Sequence, residues 1–314
     1  MKKEFMKGIL IHIGTNLWYE VGNHHGEEEE DGYKVWKSAG SEKMRFDRRM
    51  FDELIAFLPS CGINTVVLDL ADGIVYESHP ELAIEGSLSR EEILEIIANL
   101  RAKGIKIIPK LNFSTCHDEW MKDYSKMVST KIYYQVCRDL IDEVCALFQP
   151  EILHLGMDEE VYENQAKYDY VVIRQNDLWW HDLYYLIDCV EKNGVQACIW
   201  SDYARHKPQE FVEKCPKSVI QCPWYYFNQF EGDLTEENRI RVEPFKILGD
   251  AGFQIFAGGS NEYFDENIVL LHEFVKKNVP QDAYVGILQT TWAATTEEWK
   301  KEVFGAAELM KDIQ

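Results

Sequence analysis

SREEILEIIANLRAKGIKIIPKLN, residues 89–112, reads as one complete unit of a repeating architecture. Ser89 with Glu92 three residues on is a capping box, which opens a helix. The helix-periodic stretch Ser89–Ala102 closes at Gly104, a residue that accepts the left-handed turn past a helix end. Lys106–Leu111 then forms a short apolar run, the pattern of a parallel strand buried on both faces. A helix that feeds a buried strand is half of a βαβ crossover.

The same unit recurs in both directions along the chain. Apolar runs occupy Ile9–Ile13, Thr65–Leu70, Lys106–Leu111, Ile152–Leu155, Gln196–Trp200, Val219–Cys222, Gln254–Ala257 and Val285–Leu288. Helix-period segments alternate with them: Phe46–Cys61, Ser89–Ala102, Thr130–Phe148, Leu178–Lys192, Pro208–Lys214, Glu243–Ala251, Asn267–Lys277 and Thr296–Lys311. Eight strands alternating with eight helices predict a single (β/α)8 barrel over residues 1–314. A doubly wound open sheet is the alternative. It would show a Gly-rich phosphate turn after strand one, and Gly14-Thr15-Asn16-Leu17-Trp18 is not one. No linker or low-complexity tract splits the chain.

Composition narrows the function. The 33 Lys and Arg against 54 Asp and Glu give a net charge of −21. Such a surface repels phosphate backbones and anionic lipids, so neither nucleic acid nor a membrane is the expected partner. Aromatic residues make up 13% of the chain, with 9 Trp and 16 Tyr, enough to furnish a sugar-binding cleft as well as a core. No apolar run approaches the ~18 residues of a membrane span, and Gly8–Ile13 is too short for a signal-peptide core. The eight cysteines form no CxxC pair and several lie in apolar periodic segments. Reduced core thiols and a cytoplasmic location are expected.

Active sites of such barrels lie at the C-terminal ends of the strands. The polar residues there are His12, Thr15, Asn16, Asp69, Asp72, Lys110, Asn112, His117, His154, Asp158, Glu159, Glu160, Trp200, Asp202, Trp224, Tyr225, Tyr226, Asn261, Glu262, Tyr263, Asp265, Gln289 and Trp292. Carboxylates and indoles converge on one rim. His154-Leu155-Gly156-Met157-Asp158-Glu159-Glu160 is the most informative stretch. Alternation puts His154, Gly156 and Asp158 on the barrel interior and Leu153 and Leu155 on the helix side, with Glu159 just past the strand. Adjacent, buried carboxylates oppose each other's ionisation, so one can stay charged while the other holds a proton near neutral pH, the pairing an acid catalyst needs, and Glu159, beside Asp158 on an aromatic rim, is expected to titrate above a free Glu. An acidic cluster at a helix N-terminus is the structural alternative. The loop after strand one carries Glu27–Asp31, a solvated charge run, and His24-His25, which lack metal-ligand spacing.

His154-Leu-Gly-Met-Asp158-Glu159 resembles the His-x-Gly-Gly-Asp-Glu motif of family-20 glycoside hydrolases, the β-N-acetylhexosaminidases. The likeness continues in order. Asn64-Thr65-Val-Val-Leu-Asp69-Leu-Ala-Asp72 and His79-Pro80-Glu81-Leu82 are similar to that family's second strand and the segment after it. Gly104–Asn112 with Cys116-His117, Tyr263-Phe264-Asp265 and Gly286–Trp292 are similar to the third, seventh and eighth strand regions. The resemblance implies retaining, substrate-assisted hydrolysis of a terminal β-linked 2-acetamido sugar without cofactor or metal. It implies Asp158 as the residue that positions the acetamido group, Glu159 as general acid/base and Tyr263 as the hydroxyl on the acetamido carbonyl. His117, His154, Asp72, Trp200, Asp202, Trp224 and Trp292 would bind or orient the carbohydrate.

The departures concern the sugar's hydroxyls. His12 and Thr15 stand where the family has an Asp and a gripping Arg. Asp69 stands for a His, Lys110 and Asn112 for Glu and Asp, and Met157 for a Gly. Ala293-Ala294 follows Trp292 without the usual Glu. Two other readings remain: a metal-dependent barrel enzyme using His12, Asp69, His117, His154 and Asp158, and a carbohydrate-binding barrel without turnover.

Overall fold

The computed structural model describes residues 4–22, 39–166 and 168–313. His24-His25 and the run Glu27–Asp31 lie outside them. The strands are β1 (Met6–His12), β2 (Thr65–Asp69), β3 (Lys106–Lys110), β4 (Ile152–His154), β5 (Gln196–Trp200), β6 (Ile220–Cys222), β7 (Ile255–Ser260) and β8 (Tyr284–Thr290). All neighbours are parallel, the order is sequential, and β8 returns to pair with β1. This is the closed (β/α)8 barrel that the alternation implies.

One long helix follows each strand: α1 (Arg48–Phe57), α2 (Arg90–Ala102), α3 (Lys131–Phe148), α4 (Asp177–Lys192), α5 (Pro208–Lys214), α6 (Glu236–Asp250), α7 (Asn267–Asn278) and α8 (Lys300–Leu309). The Ser89–Glu92 capping box is formed at the start of α2. Helix α6 departs from its expected span. It starts at Glu236, seven residues before Glu243, with Thr235 capping it by accepting from Asn238 N, and it runs through Pro244. Proline is tolerated best in a first turn, and here it stands in the helix interior. The two added turns carry Glu237 and Arg241.

Alternation along each strand sorts the core. Ile9, Ile11, Val66, Leu68, Leu153, Ala197, Ile199, Ile255 and Ile287 face the helices, whereas Leu10, Val67, Ile108, Ile152, Cys198, Ile220, Phe256 and Leu288 fill the interior. Two residues further up, the inward positions turn polar. His12, Asp69, Lys110 and His154 lie side by side in register on β1 to β4. Lys110 Nζ is 2.6 Å from Asp69 Oδ2 and His12 Nδ1 is 3.3 Å from it. All three are buried. Burial alone would push the Asp69 carboxyl up, but Lys110 and His12 outweigh it and hold it well below the carboxylate range.

The eight cysteines are buried and unpaired, as the apolar positions suggest. Among the described residues no helix is long and apolar enough to cross a membrane.

A buried ion pair is costly to break on one side only, because a charge is left without its partner. Lys110→Met is therefore expected to lower unfolding free energy by about 3–5 kcal/mol, read from urea denaturation, and the Asp69→Leu/Lys110→Met double variant to recover most of that loss.

Candidate active site

At the top of the barrel the strand pattern stops abruptly. Leu155 still faces the helices, but Gly156, Met157 and Glu159 all have positive φ, at 75°, 74° and 56°. The expected alternation through Asp158 is thus replaced by a tight reversal. A Cβ on Gly156 would lie 1.7 Å from Asn112 Oδ1, so glycine is required on both conformational and steric grounds. Met157 occupies a left-handed conformation at a cost of about 1–2 kcal/mol. Its side chain is buried, with its sulfur 3.8 Å from Arg174.

The reversal delivers two carboxylates to one histidine. His117 Nε2 lies 3.3 Å from Asp158 Oδ2 and 3.2 Å from Glu159 Oε2. Asn112 Nδ2 donates to Asp158 Oδ1 at 3.0 Å. The loop carrying His117 is tied down by Ser114, whose hydroxyl donates to the Asp158 carbonyl, and by Cys116, whose thiol lies 2.8 Å from the Glu159 carbonyl. Burial opposes a charged imidazole, yet the two carboxylates outweigh it and raise the His117 pKa. Burial would likewise raise Glu159. The His117 hydrogen bond and charge, with Arg205 and Arg241, reverse that and lower it. This corrects the expectation for Glu159: its neighbours include three cationic groups as well as Asp158, and the cations win. Glu160 turns the other way, into an ion pair with Arg174.

Around the carboxylates lies a cleft of about 340 Å³, lined by Trp18, His117, Asp158, Glu159, Trp200, Trp224, Tyr225, Tyr226, Phe227, Glu237, Arg241, Glu262, Tyr263 and Trp292. Trp200 and Trp292 have ring centroids 6.5 Å apart, and Trp18 stands 6.3 Å from Trp292. Trp224 stacks on Tyr226 at 4.7 Å, and Trp292 Nε1 donates to the Tyr226 hydroxyl at 3.1 Å. Tyr263 sits on the rim, more than half exposed, stacked on Phe227 at 5.2 Å with only 9° between the rings.

Seven of the ten residues singled out from the sequence line this cleft: Asp158, Glu159, Tyr263, His117, Trp200, Trp224 and Trp292. The other three do not. Asp72 is buried beneath the β1 loop and accepts from Thr15 N, Asn16 N and Asn16 Nδ2, so its oxygens hold backbone. Asp202 lies behind Trp224, accepting its Nε1–H at 2.9 Å and pairing with Arg205 at 2.9 Å. Burial raises the Asp202 carboxyl to about 6 against the pull of Arg205. His154 is in the barrel interior, against the Trp200 ring at 4.7 Å, with Cys198 and Cys222. Its Nδ1 accepts the Gly156 N–H at 3.0 Å, which leaves the ring proton on Nε2, among the sulfurs.

The five-residue metal set is not assembled. Asp69 is joined to Lys110 and His12, His154 faces two cysteines, and His117 bridges Asp158 and Glu159. Sequence reasoning missed Trp18, Phe227, Glu237 and Arg241 as cleft residues. Trp18 follows strand one closely enough to have been found by the strand-end rule. Arg241 and Glu237 sit in a helix, which that rule does not survey.

No family model and no curated protein matches the sequence. Solved structures do match the fold. A β-N-acetylhexosaminidase from Bacteroides fragilis NCTC 9343 superposes with a TM-score of 0.63 at 14% identity, over 98% of this chain and 65% of its own. A family-20 exo β-N-acetylglucosaminidase from Vibrio harveyi gives 0.61 at 14% identity, over 98% and 54%. Dispersin B gives 0.60 at 15% identity, over 100% and 98%. The chain therefore spans about two thirds or half of the first two structures and nearly all of the third. It has the fold of the family-20 barrel, as the ordered motifs imply.

Gly156→Ala would drive a methyl group into Asn112 and force a residue with a Cβ into positive φ. The expected outcome is a loss of roughly 1–3 kcal/mol in thermal or chemical unfolding, larger than that of an alanine at Gly104, whose Cβ would meet nothing within 4 Å.

Proposed function

We propose that this protein is a glycoside hydrolase that removes a terminal β-linked 2-acetamido sugar with retention, the acetamido oxygen acting as nucleophile. The observation that carries this reading is His117 bridging Asp158 and Glu159 at the base of an aromatic cleft. The likeness of the barrel to solved β-N-acetylhexosaminidases supports it.

The chemistry follows from charge. Attack of the acetamido oxygen on the anomeric carbon makes a cyclic oxazolinium ion and releases the leaving oxygen, which must gain a proton. Asp158, held by Asn112 and His117, accepts the amide N–H and balances the positive charge that develops on the ring. Glu159 donates the proton to the leaving oxygen and then removes one from the water that opens the ring. The lowering of Glu159 and the raising of His117, 3.2 Å away, favour the arrangement with the proton on the imidazole. Proton transfer from Nε2 to Oε2 prepares the acid without any change in total protonation. Tyr263 supplies the hydroxyl for the acetamido carbonyl, and Trp18, Trp200, Trp224 and Trp292 wall the sugar face and the acetamido methyl.

A binding barrel without turnover is the second reading. It is favoured by the burial of Thr15 and Lys110, whose positions carry no gripping side chain into the cleft.

Calorimetry with a thiazoline analogue of the cyclic intermediate tests the acetamido mechanism. Binding tighter than that of the product sugar is expected, and no heat at millimolar concentration removes the reading. Glu159→Gln should abolish hydrolysis of poor leaving groups and spare activated aryl glycosides in part, whereas equal losses on both refute an acid role. Binding of the thiazoline with no turnover of any 2-acetamido glycoside would identify the second reading.

The His117 bridge also sets a pH profile. The active form carries one proton over His117 and Glu159. That proton is lost only above the raised His117 value, so the alkaline limb of kcat/KM should fall above the ordinary histidine value of about 6.5. In His117→Asn the proton must stay on Glu159 itself, and the alkaline limb should move to lower pH. An unmoved limb would show that His117 does not hold the proton.

A further inference from the structure

Helix α6 brings the only guanidinium that lines the cleft among the described residues, that of Arg241. The positions where a grip on the sugar was expected do not supply one. Thr15 is buried, its Oγ1 accepting from Arg45 N, and Lys110 is consumed by Asp69. Arg205 is spent as well: it faces Trp224 at 3.8 Å, pairs with Asp202 and donates to the Trp224 carbonyl at 3.0 Å.

Arg241 is different. Its guanidinium stands 5.6 Å from the Trp224 ring, on an indole that already carries Arg205. Among the described residues its one ion-pair partner is Glu237 on the same helix, at 3.2 Å, with the Glu237 side chain 73% exposed. Exposed i,i+4 pairs contribute about 0.3–0.5 kcal/mol. Two guanidinium groups converging on one ring repel each other. Stability therefore does not account for Arg241 at this place. Among the described residues its Nε and Nη1 make no hydrogen bond, so donors of a residue that lines the cleft are left for a ligand.

We propose that Arg241 is a specificity-determining residue of the cleft, whose guanidinium grips ring hydroxyls of the bound sugar in place of the absent strand-one arginine. The inference rests on the hydrolase reading above. Hydroxyls rather than an anionic substituent are the partners, because Asp158, Glu159, Glu237 and Glu262 line the same cleft and repel a second negative charge. A contact of this kind is made in the ground state and the transition state alike. Its loss raises KM and leaves kcat nearly unchanged.

The test compares wild type, Arg241→Ala and Arg241→Lys on 4-methylumbelliferyl 2-acetamido-2-deoxy-β-glucoside and its galacto epimer. Tryptophan fluorescence titrated with free N-acetylglucosamine gives a readout that needs no turnover. Charged hydrogen bonds of this kind predict a rise in KM and in the sugar's Kd of roughly 10- to 100-fold in Arg241→Ala. Thermal stability should be unchanged, the preference between the epimers altered, and only part of the affinity restored by Lys, which lacks the planar fork. Unchanged KM and Kd in Arg241→Ala, with the wild type binding sugar, would overturn the role of Arg241 and leave the hydrolase reading standing. A fall in kcat and melting temperature with Kd constant would overturn it too, by showing a packing role. A wild type that binds neither the sugar nor the thiazoline overturns both.

Discussion

Everything at the mouth of this barrel depends on the point where β4 ceases to be a strand. A strand presents every second side chain to the interior, so a continued β4 would bury Asp158 and turn Glu159 towards the helices. Positive φ at Gly156, Met157 and Glu159 breaks that rule within five residues of His154. Both carboxylates then reach His117. Gly156 permits the reversal because Asn112 occupies the space a side chain would need. The same Asn112 holds Asp158. One backbone device thus sets the position of the reactive groups and the packing that keeps them there.

The electrostatics of the site follow from neighbours more than from burial. Three carboxyl groups lie close together at this end of the barrel, on Asp158, Glu159 and Asp202. Considered as a pair, Asp158 and Glu159 would oppose each other's ionisation, and Glu159 would hold its own proton. His117 between them, with Arg205 and Arg241 nearby, inverts the result, lowering Glu159 and raising the imidazole. Asp202 takes the opposite course, raised to about 6 by burial and by the two carboxylates beside it. A buried row of His12, Asp69 and Lys110 lies beneath, in which His12 and Lys110 both approach Asp69. It supplies a rigid polar layer and contributes no side chain to the cleft lining.

Most of the wall is aromatic, and its parts lock one another. Trp224 is backed by Asp202 and Arg205, stacks on Tyr226, and Tyr226 in turn accepts from Trp292. Such a chain fixes ring orientation before a ligand arrives, which lowers the cost of ordering on binding. The rim is looser. Tyr263 and Phe227 lean on each other in solvent, so the part of the site assigned to the acetamido carbonyl is also its least constrained part.

The sequence by itself determined the architecture. Period-2 and period-3.6 patterns are local, each of the eight strand–helix units carries its own, and a sequential parallel barrel is the closed arrangement that satisfies them all. The capping signal of Ser89 with Glu92 appears where it was read. Because barrel sites sit at strand ends, the same local reading reached the carboxylates, His117 and three of the tryptophans. It failed where the outcome depends on distance in space. Asp72 and Asp202 stand at strand ends like the others, but backbone amides and an arginine claim them. The titration of Glu159 reversed because its cationic neighbours come from loops and helices 42 and more residues away in the chain. Arg241 entered the cleft because α6 begins two turns before Glu243, where the periodic segment was read to start. Which polar group faces ligand and which faces protein is decided by packing between elements, and only the tertiary structure fixes that.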